Sequence, residues 1–165
     1  MSNWLSPELK TAVDQLTDAQ VVALVLYGEA RSEPVQGVIA VGCVIRNRVK
    51  ADLGNDKKAD WWGEGFKGVC TAPWQFSALN VAGGAGNFKK VLAFAERLAA
   101  KTPITNGLER QCVWVGYGIV GDYAADVTKG SRHYHVATMT PRPKWAMGHA
   151  PVVQIARHVF YDSVQ

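Results

Sequence analysis

The sequence predicts a mainly helical α+β domain with a small antiparallel sheet near the C-terminus. Three observations carry that prediction. Helix start signals recur through the first two thirds of the chain, each followed by apolar residues at helical spacing. The last third holds two stretches rich in β-branched and aromatic residues, 132–137 and 152–161. The composition is that of one globular unit: 165 residues, 48% hydrophobic and 19% charged, enough chain for a real core and too apolar for disorder. No internal repeat or linker interrupts it, so residues 1–165 read as a single domain.

The elements follow in order. Ser6-Pro7-Glu8 combines an N-cap hydroxyl, a first-turn proline and a first-turn acid, and opens a short helix to about Leu16. Thr17 with Gln20 has the spacing of a capping box and opens a second helix that carries Glu29. Pro34 ends that helix and starts a third, from Pro34 to about Lys50. On it Val38, Val41, Gly42, Ile45 and Val49 share one face and Gln36, Asn47 and Lys50 the other; Gly37 and Gly42 give room for a neighbouring backbone. Residues 51–87 read as a long irregular stretch with Trp61, Trp62, Trp74 and the run Gly83-Gly84-Ala85-Gly86. Asn87 is expected to cap a helix to about Lys101, and a last helix runs from Leu108 to about Val120, broken up by Gly116 and Gly118. The two β-rich stretches then pair as a hairpin with a long connection through Pro141-Arg142-Pro143.

The net charge is +4, with a pI of about 9.0. That favours an anionic partner, but no dense Lys/Arg run appears. Nucleic acid is therefore not indicated, whereas a polyanionic surface such as a cell wall fits. No stretch reaches the roughly 18 uninterrupted apolar residues of a membrane helix, so membrane insertion is not expected. Met1 to Pro7 has neither a basic n-region nor an apolar h-region, and no signal peptide is expected. Cys43, Cys70 and Cys112 are odd in number and widely spaced, which predicts buried free thiols made in a reducing compartment rather than a metal or disulfide framework.

Glu29 is the most informative residue. It continues the spacing Val22, Val25, Leu26 on the apolar side of the second helix. A carboxylate there loses solvation, which raises its pKa and lets it hold and donate a proton. The last helical turn disfavours negative charge as well. Arg31 opposes this, although at i+2 it points elsewhere. Spacing alone leaves equal room for a glutamate salt-bridged at the surface.

Glu33 is the obvious second carboxylate for glycoside hydrolysis. It also directly precedes Pro34, where it would complement the start of the third helix. Asp122 and Asp126 read as turn formers. In Trp74-Gln75-Phe76-Ser77, the Gln and Ser offer hydrogen bonds and the rings offer flat faces for sugars; Trp61 and Trp62 offer the same, and core anchoring is the competing reading. His133 and His135 share one face of their strand. With His158 they would make a zinc site, against the blander reading of hydrogen-bonding or substrate-contacting histidines.

The block Tyr27-Gly28-Glu29-Ala30-Arg31-Ser32-Glu33-Pro34, followed by Gly37-Val38-Ile39-Ala40-Val41 and Asn47-Arg48-Val49, resembles the cell-wall hydrolase family of the bacterial spore-cortex-lytic enzymes and their phage relatives. Gln75-Phe76-Ser77, the segment from Gly130 through His133-Tyr134-His135 in the form seen in phage members, and Ile155 to Phe160 agree in order, so the likeness spans about 21–161. The resemblance implies a lysozyme-like, goose-type helical fold and cleavage of the β-1,4 bond between N-acetylmuramic acid and N-acetylglucosamine in peptidoglycan. It implies Glu29 as the catalytic acid, with Gln75, Ser77, Tyr134, His135 and Glu33 as substrate-binding candidates. It favours a lytic transglycosylase that leaves 1,6-anhydro ends, with no metal or organic cofactor and with glycan strands as partner. A muramidase with a second carboxylate and a zinc amidase or peptidase on His133, His135 and His158 are the rivals. A monomeric phage lysin or virion-borne enzyme, made in the cytoplasm of an infected bacterium and acting on the wall, is the expected setting. Many relatives carry Cys where Ala78 follows Ser77 here, and the segment around Trp61 and Trp62 looks longer than usual, which leaves the role of those tryptophans open.

Overall fold

The computed structural model describes residues 4–162 and 164, the side chain at 82 excepted. Six α-helices among these residues precede a three-stranded antiparallel sheet. Helix α1 spans Pro7–Asp14, with Ser6 accepting from the Leu9 N–H. Helix α2 spans Asp18–Ala30 behind the Thr17/Gln20 capping box. Both starts are where the sequence put them. Helix α3, Val35–Lys50, follows Pro34 as N-cap.

Helix α2 is the centre of the molecule. Every residue from Val21 to Tyr27 is buried, because α3, α4, α5 and α6 pack around it. The expected apolar stripe is thus an all-round apolar helix. Beyond that stretch its last turn partly emerges, and that turn carries Glu29.

Other expectations are corrected. Helix α4, Gly65–Thr71, lies inside the stretch read as irregular, burying Val69 and Cys70. Helix α5 is Ala85–Ala99 and begins after Gly84, whose φ of 101° suits glycine, rather than at Asn87. Asn87 instead donates to the Gly28 carbonyl and accepts from Arg31. Helix α6, Gly107–Val120, runs unbroken through Gly116. A Cβ on Gly116 would lie 2.4 Å from the Ala19 carbonyl oxygen, so this glycine lets α6 cross α2 at close range. At Gly42 the neighbour is the Ile119 side chain rather than a backbone.

The tail forms β1 (His133–Val136), β2 (Val153–Ile155) and β3 (His158–Tyr161), in the order β1-β3-β2. The expected second strand is split in two, since Ala156 turns the chain with φ 51°. Pairing is Tyr134 with Phe160 and His135 with Val159. One face, with Tyr134 and Phe160, packs on Ala40 and Val44 of α3; the other holds Val159, Tyr161 and Trp145 over Ala146. No helix of the described residues is long and apolar enough to cross a membrane. The three cysteines are free and buried.

Candidate active site

A groove of about 540 Å³ runs between the end of α2, the turn around Ser77 and strand β1. Glu29 and Arg48 line it from the helices, Gln75 and Ser77 from the loop, and Tyr134, His135 and His158 from the sheet. Trp61, Trp74 and Trp145 flank them.

Glu29 reaches this place for a local reason. Gly28, just before it, has no side chain, and the 3₁₀ turn Ser77–Leu79 fills the gap: a Cβ there would sit 2.3 Å from the Ala78 Cβ. That approach delivers the Ala78 N–H to Glu29 Oε1 at 3.0 Å. From the sheet, the Tyr134 hydroxyl stands 3.5 Å from Oε2. Burial raises the carboxyl's pKa, against the Ala78 N–H, the Tyr134 hydroxyl and the charge of Arg48, which all lower it. Desolvation wins, because these partners are few and the charged form has lost most of its water. Arg31 stays out of the balance, donating to the Tyr27 carbonyl and to Asn87.

Arg48 went unrecognised as a site residue. It is buried on α3, donating from Nε to the Arg132 carbonyl at 2.8 Å and from Nη1 to Gln75 Oε1 at 3.1 Å, over the Phe76 ring. Burial lowers its pKa to about 10, so it stays cationic at neutral pH. It ties the loop and the sheet to α3 and sets a positive charge beside Glu29. Its place in the block Asn47-Arg48-Val49 was the available signal.

The remaining candidates fall on both sides of the line. Gln75 lines the groove while its carbonyl is held by Arg48, and Ser77 lines it from the first position of the 3₁₀ turn. Tyr134 is stacked on Phe160 with its ring edge to His158. His135 lines the groove but is fixed by the Val136 carbonyl and the Tyr161 hydroxyl. Glu33 is not in the groove. Oε1 accepts from Arg157 Nε at 2.6 Å and Oε2 from the Arg157 backbone N–H at 3.2 Å, so it latches the β2–β3 turn to the start of α3. Asp126 accepts from Thr128 and Gly130 and is the turn former expected. Trp61 lines the groove and is exposed, whereas Trp62 is fully buried core.

The zinc reading fails on strand register. His133 and His135 share the face of Val159 and Tyr161, while His158 lies opposite Val136 and so points to the other face, with Tyr134. No group of three or more His, Cys, Asp or Glu among the described residues is arranged to hold a metal ion. Burial beside Trp62 and Trp145 lowers the pKa of His133 to about 4, so it is neutral at pH 7.

Fold and groove together define a class: a mainly helical domain with a small antiparallel sheet that presents one desolvated carboxyl to an aromatic-flanked cleft. The chain belongs to the cell wall hydrolase family, whose profile matches residues 32–161. Glu29 lies three residues ahead of that match. Among solved structures, the chain is similar to the catalytic domain of the Bacillus cereus SleB protein, with a TM-score of 0.55 and 24% identity over 87% of this chain and 88% of that one. It is equally similar to the catalytic domain of the germination-specific lytic transglycosylase SleB from Bacillus anthracis, with a TM-score of 0.54 and 24% identity over 97% and 98%. At this identity the likeness speaks for the fold. No curated protein matches.

Proposed function

We propose that the protein degrades peptidoglycan by cleaving the β-1,4 bond between N-acetylmuramic acid and N-acetylglucosamine, as a lytic transglycosylase with Glu29 as its acid and base. The observation that carries this reading is that Glu29 is the only carboxylate among the residues lining the groove. A hydrolase with two carboxylates needs the second one across the sugar to activate water or attack C1. Glu33, the candidate for that role, is engaged by Arg157.

One carboxyl suffices when the substrate brings its own nucleophile. Protonated Glu29 gives its proton to the linking oxygen, and the C1–O bond breaks through an oxocarbenium-like transition state. The C6 hydroxyl of the muramic residue attacks C1 and passes its proton to the Glu29 carboxylate. The product ends in a 1,6-anhydro ring, and the acid is restored. The Ala78 N–H and Tyr134 hydroxyl steady the carboxylate in the charged interval. Gln75, Ser77 and His135 contact the glycan from the walls. The Bacillus anthracis SleB is a germination-specific lytic transglycosylase, and we extend the chemistry, not the germination role, to this chain.

We further propose that the enzyme serves a phage as a lysin or virion-borne hydrolase, reaching the wall after release from the cytoplasm. The form of the block from Gly130 to His135 supports this. Added to cells with a permeabilised outer layer, it should lyse them without other proteins; intact cells after prolonged exposure would remove that role. The chemistry itself is tested by digesting purified sacculi with the protein and with Glu29→Gln, then weighing the products. Anhydro ends are lighter than reducing ends by one water. Reducing ends alone would replace the transglycosylase by a hydrolase, and full activity of the variant would remove Glu29 from the chemistry.

A further inference from the structure

We infer that the outer face of α6 carries a second, non-catalytic binding site for a sugar of the glycan strand. The inference rests on peptidoglycan being the substrate. A pocket of about 320 Å³ opens there between Trp114, Tyr117, Tyr123, Ile39 and Ala124, and shares no residue with the groove. Ile39 and Arg48 are nine residues apart on α3, which places the pocket about 14 Å along that helix from the groove.

The rings are presented to solvent. Trp114 is 66% exposed, Tyr117 56% and Tyr123 88%, although a globular surface normally keeps such side chains covered. Tyr123 is nevertheless held in place. Its backbone N–H and that of Ala124 both donate to the Gly118 carbonyl. Asp122, beside it, is bound by Arg46 at 3.0 Å and Lys50 at 2.8 Å. The ring itself lies against Gly121, where a Cβ would fall 2.3 Å from Cε2. An exposed ring on a pinned backbone has little conformational freedom left to lose on binding.

The patch is largely apolar ring surface, as a platform for the C–H faces of a sugar requires. Two phenol hydroxyls and an indole N–H stand at the edges of the flat faces. One turn back on the same helix face, Gln111 and Arg110 add an amide and a guanidinium. Sugar rings offer that alternation of apolar C–H faces and hydroxyls. A second contact on an insoluble polymer would hold the enzyme on the strand between cleavage events.

The test uses the full chain with Glu29→Gln, so that the polymer survives. Co-sedimentation with purified sacculi is measured at about 0.5 M salt, which screens the general attraction of a basic protein to the wall. Binding of soluble N-acetylglucosamine oligomers is followed by tryptophan fluorescence. Trp114→Ala and Tyr123→Ala should each weaken sacculus binding about tenfold, the scale of losing an aromatic anchor. In the active background, the same substitutions should leave turnover of short soluble fragments unchanged. Tyr123 is exposed, so its variant keeps the question open to decision if Trp114→Ala does not fold. Unchanged sacculus binding by folded Tyr123→Ala overturns the site, as does a concentration-dependent dimer that these substitutions abolish. A reducing-end product would defeat the transglycosylase reading while leaving this binding comparison intact.

Discussion

Replacing Glu29 and Glu33 one at a time separates chemistry from scaffold. Glu33→Gln keeps the shape of the side chain and removes its charge. In the fold, both carboxyl oxygens take a hydrogen bond from Arg157, at 2.6 and 3.2 Å, and the side chain is almost wholly out of water. A hydrogen bond to a charged group contributes about 1.5–3 kcal/mol and a neutral one about 0.5–1.5, so the shorter contact loses about 1 kcal/mol. The new amide must also turn its nitrogen toward one of the two donors, which costs about 1 kcal/mol more. The Arg157 side chain is 62% exposed and regains some hydration, which brings the total to about 1–2 kcal/mol. For a chain of this size each kcal/mol moves Tm by about 2–4 °C, so the melting point should fall by about 2–8 °C. Circular dichroism melts at pH 7 read that shift. Turnover on sacculi, measured well below the melt, should stay that of the unmodified protein. Glu29→Gln should do the reverse, keeping Tm or raising it slightly as a buried charge is removed, and losing turnover by about 10²–10⁴-fold. If Glu33→Gln abolishes turnover with its Tm unmoved, the division of labour argued above is wrong.

The pH profile follows from the raised pKa of Glu29. Its protonated form is the donor, so turnover should fall as pH rises through the folded-state pKa. Tyr134→Phe removes a contact that favours the carboxylate, and the falling limb should move to higher pH; a move to lower pH contradicts the assignment. The same residue affects stability with a definite sign. Because the folded pKa exceeds the unfolded one, stability is lost as pH rises from the unfolded value through the folded value, and Glu29→Gln should flatten that part of the Tm–pH curve. Gly28→Ala would put a methyl 2.3 Å from the Ala78 Cβ and 3.1 Å from Val91 Cγ2. It should cost about 1–3 kcal/mol and draw the Ala78 N–H away from Glu29, so kcat should drop even at temperatures where the variant is folded; an unaltered kcat speaks against this positioning. Burial pushes the Cys112 thiol up to about 12 and raises Cys43 and Cys70 as well. A thiol reagent should therefore react only on unfolding, and rapid labelling of the native protein would contradict the packing.

The parts of the fold legible in the sequence were those set by local chemistry. Ser6, the Thr17/Gln20 box and Pro34 act on their own neighbours, and they begin helices α1, α2 and α3 in the structure. What escaped depends on contacts distant in sequence. Asn87 looked like a cap because of its type, yet residues 28 and 31 on another helix hold its side chain. Gly116 looked like a break because glycine weakens a helix, whereas the Ala19 carbonyl it admits belongs to the packing partner. Helix α4 is only seven residues long and carries two glycines, too short for periodicity to stand out. The split at Ala156 rests on a single left-handed residue that nothing in its type announces.

The same division runs through the site. Glu29 could be found because a carboxyl among apolar neighbours is anomalous within one turn of helix. Its neighbours could not be ranked that way. Whether Glu33 or His158 points toward Glu29 depends on the register of β1 against β3 and on the reach of Arg157, a residue 124 positions away. Arg48 shows the limit most clearly. Among Arg46, Asn47 and Lys50 an arginine reads as part of a solvated edge, but here two separate segments close over it: the Arg132 carbonyl from one, and the Gln75 amide and Phe76 ring from the other. Those segments are also the walls of the groove. Burying Arg48 and assembling the cleft around Glu29 are therefore one event. The cation that lowers the acid's pKa is then the cost of holding the walls in place, and the acid keeps its raised pKa only because burial outweighs it.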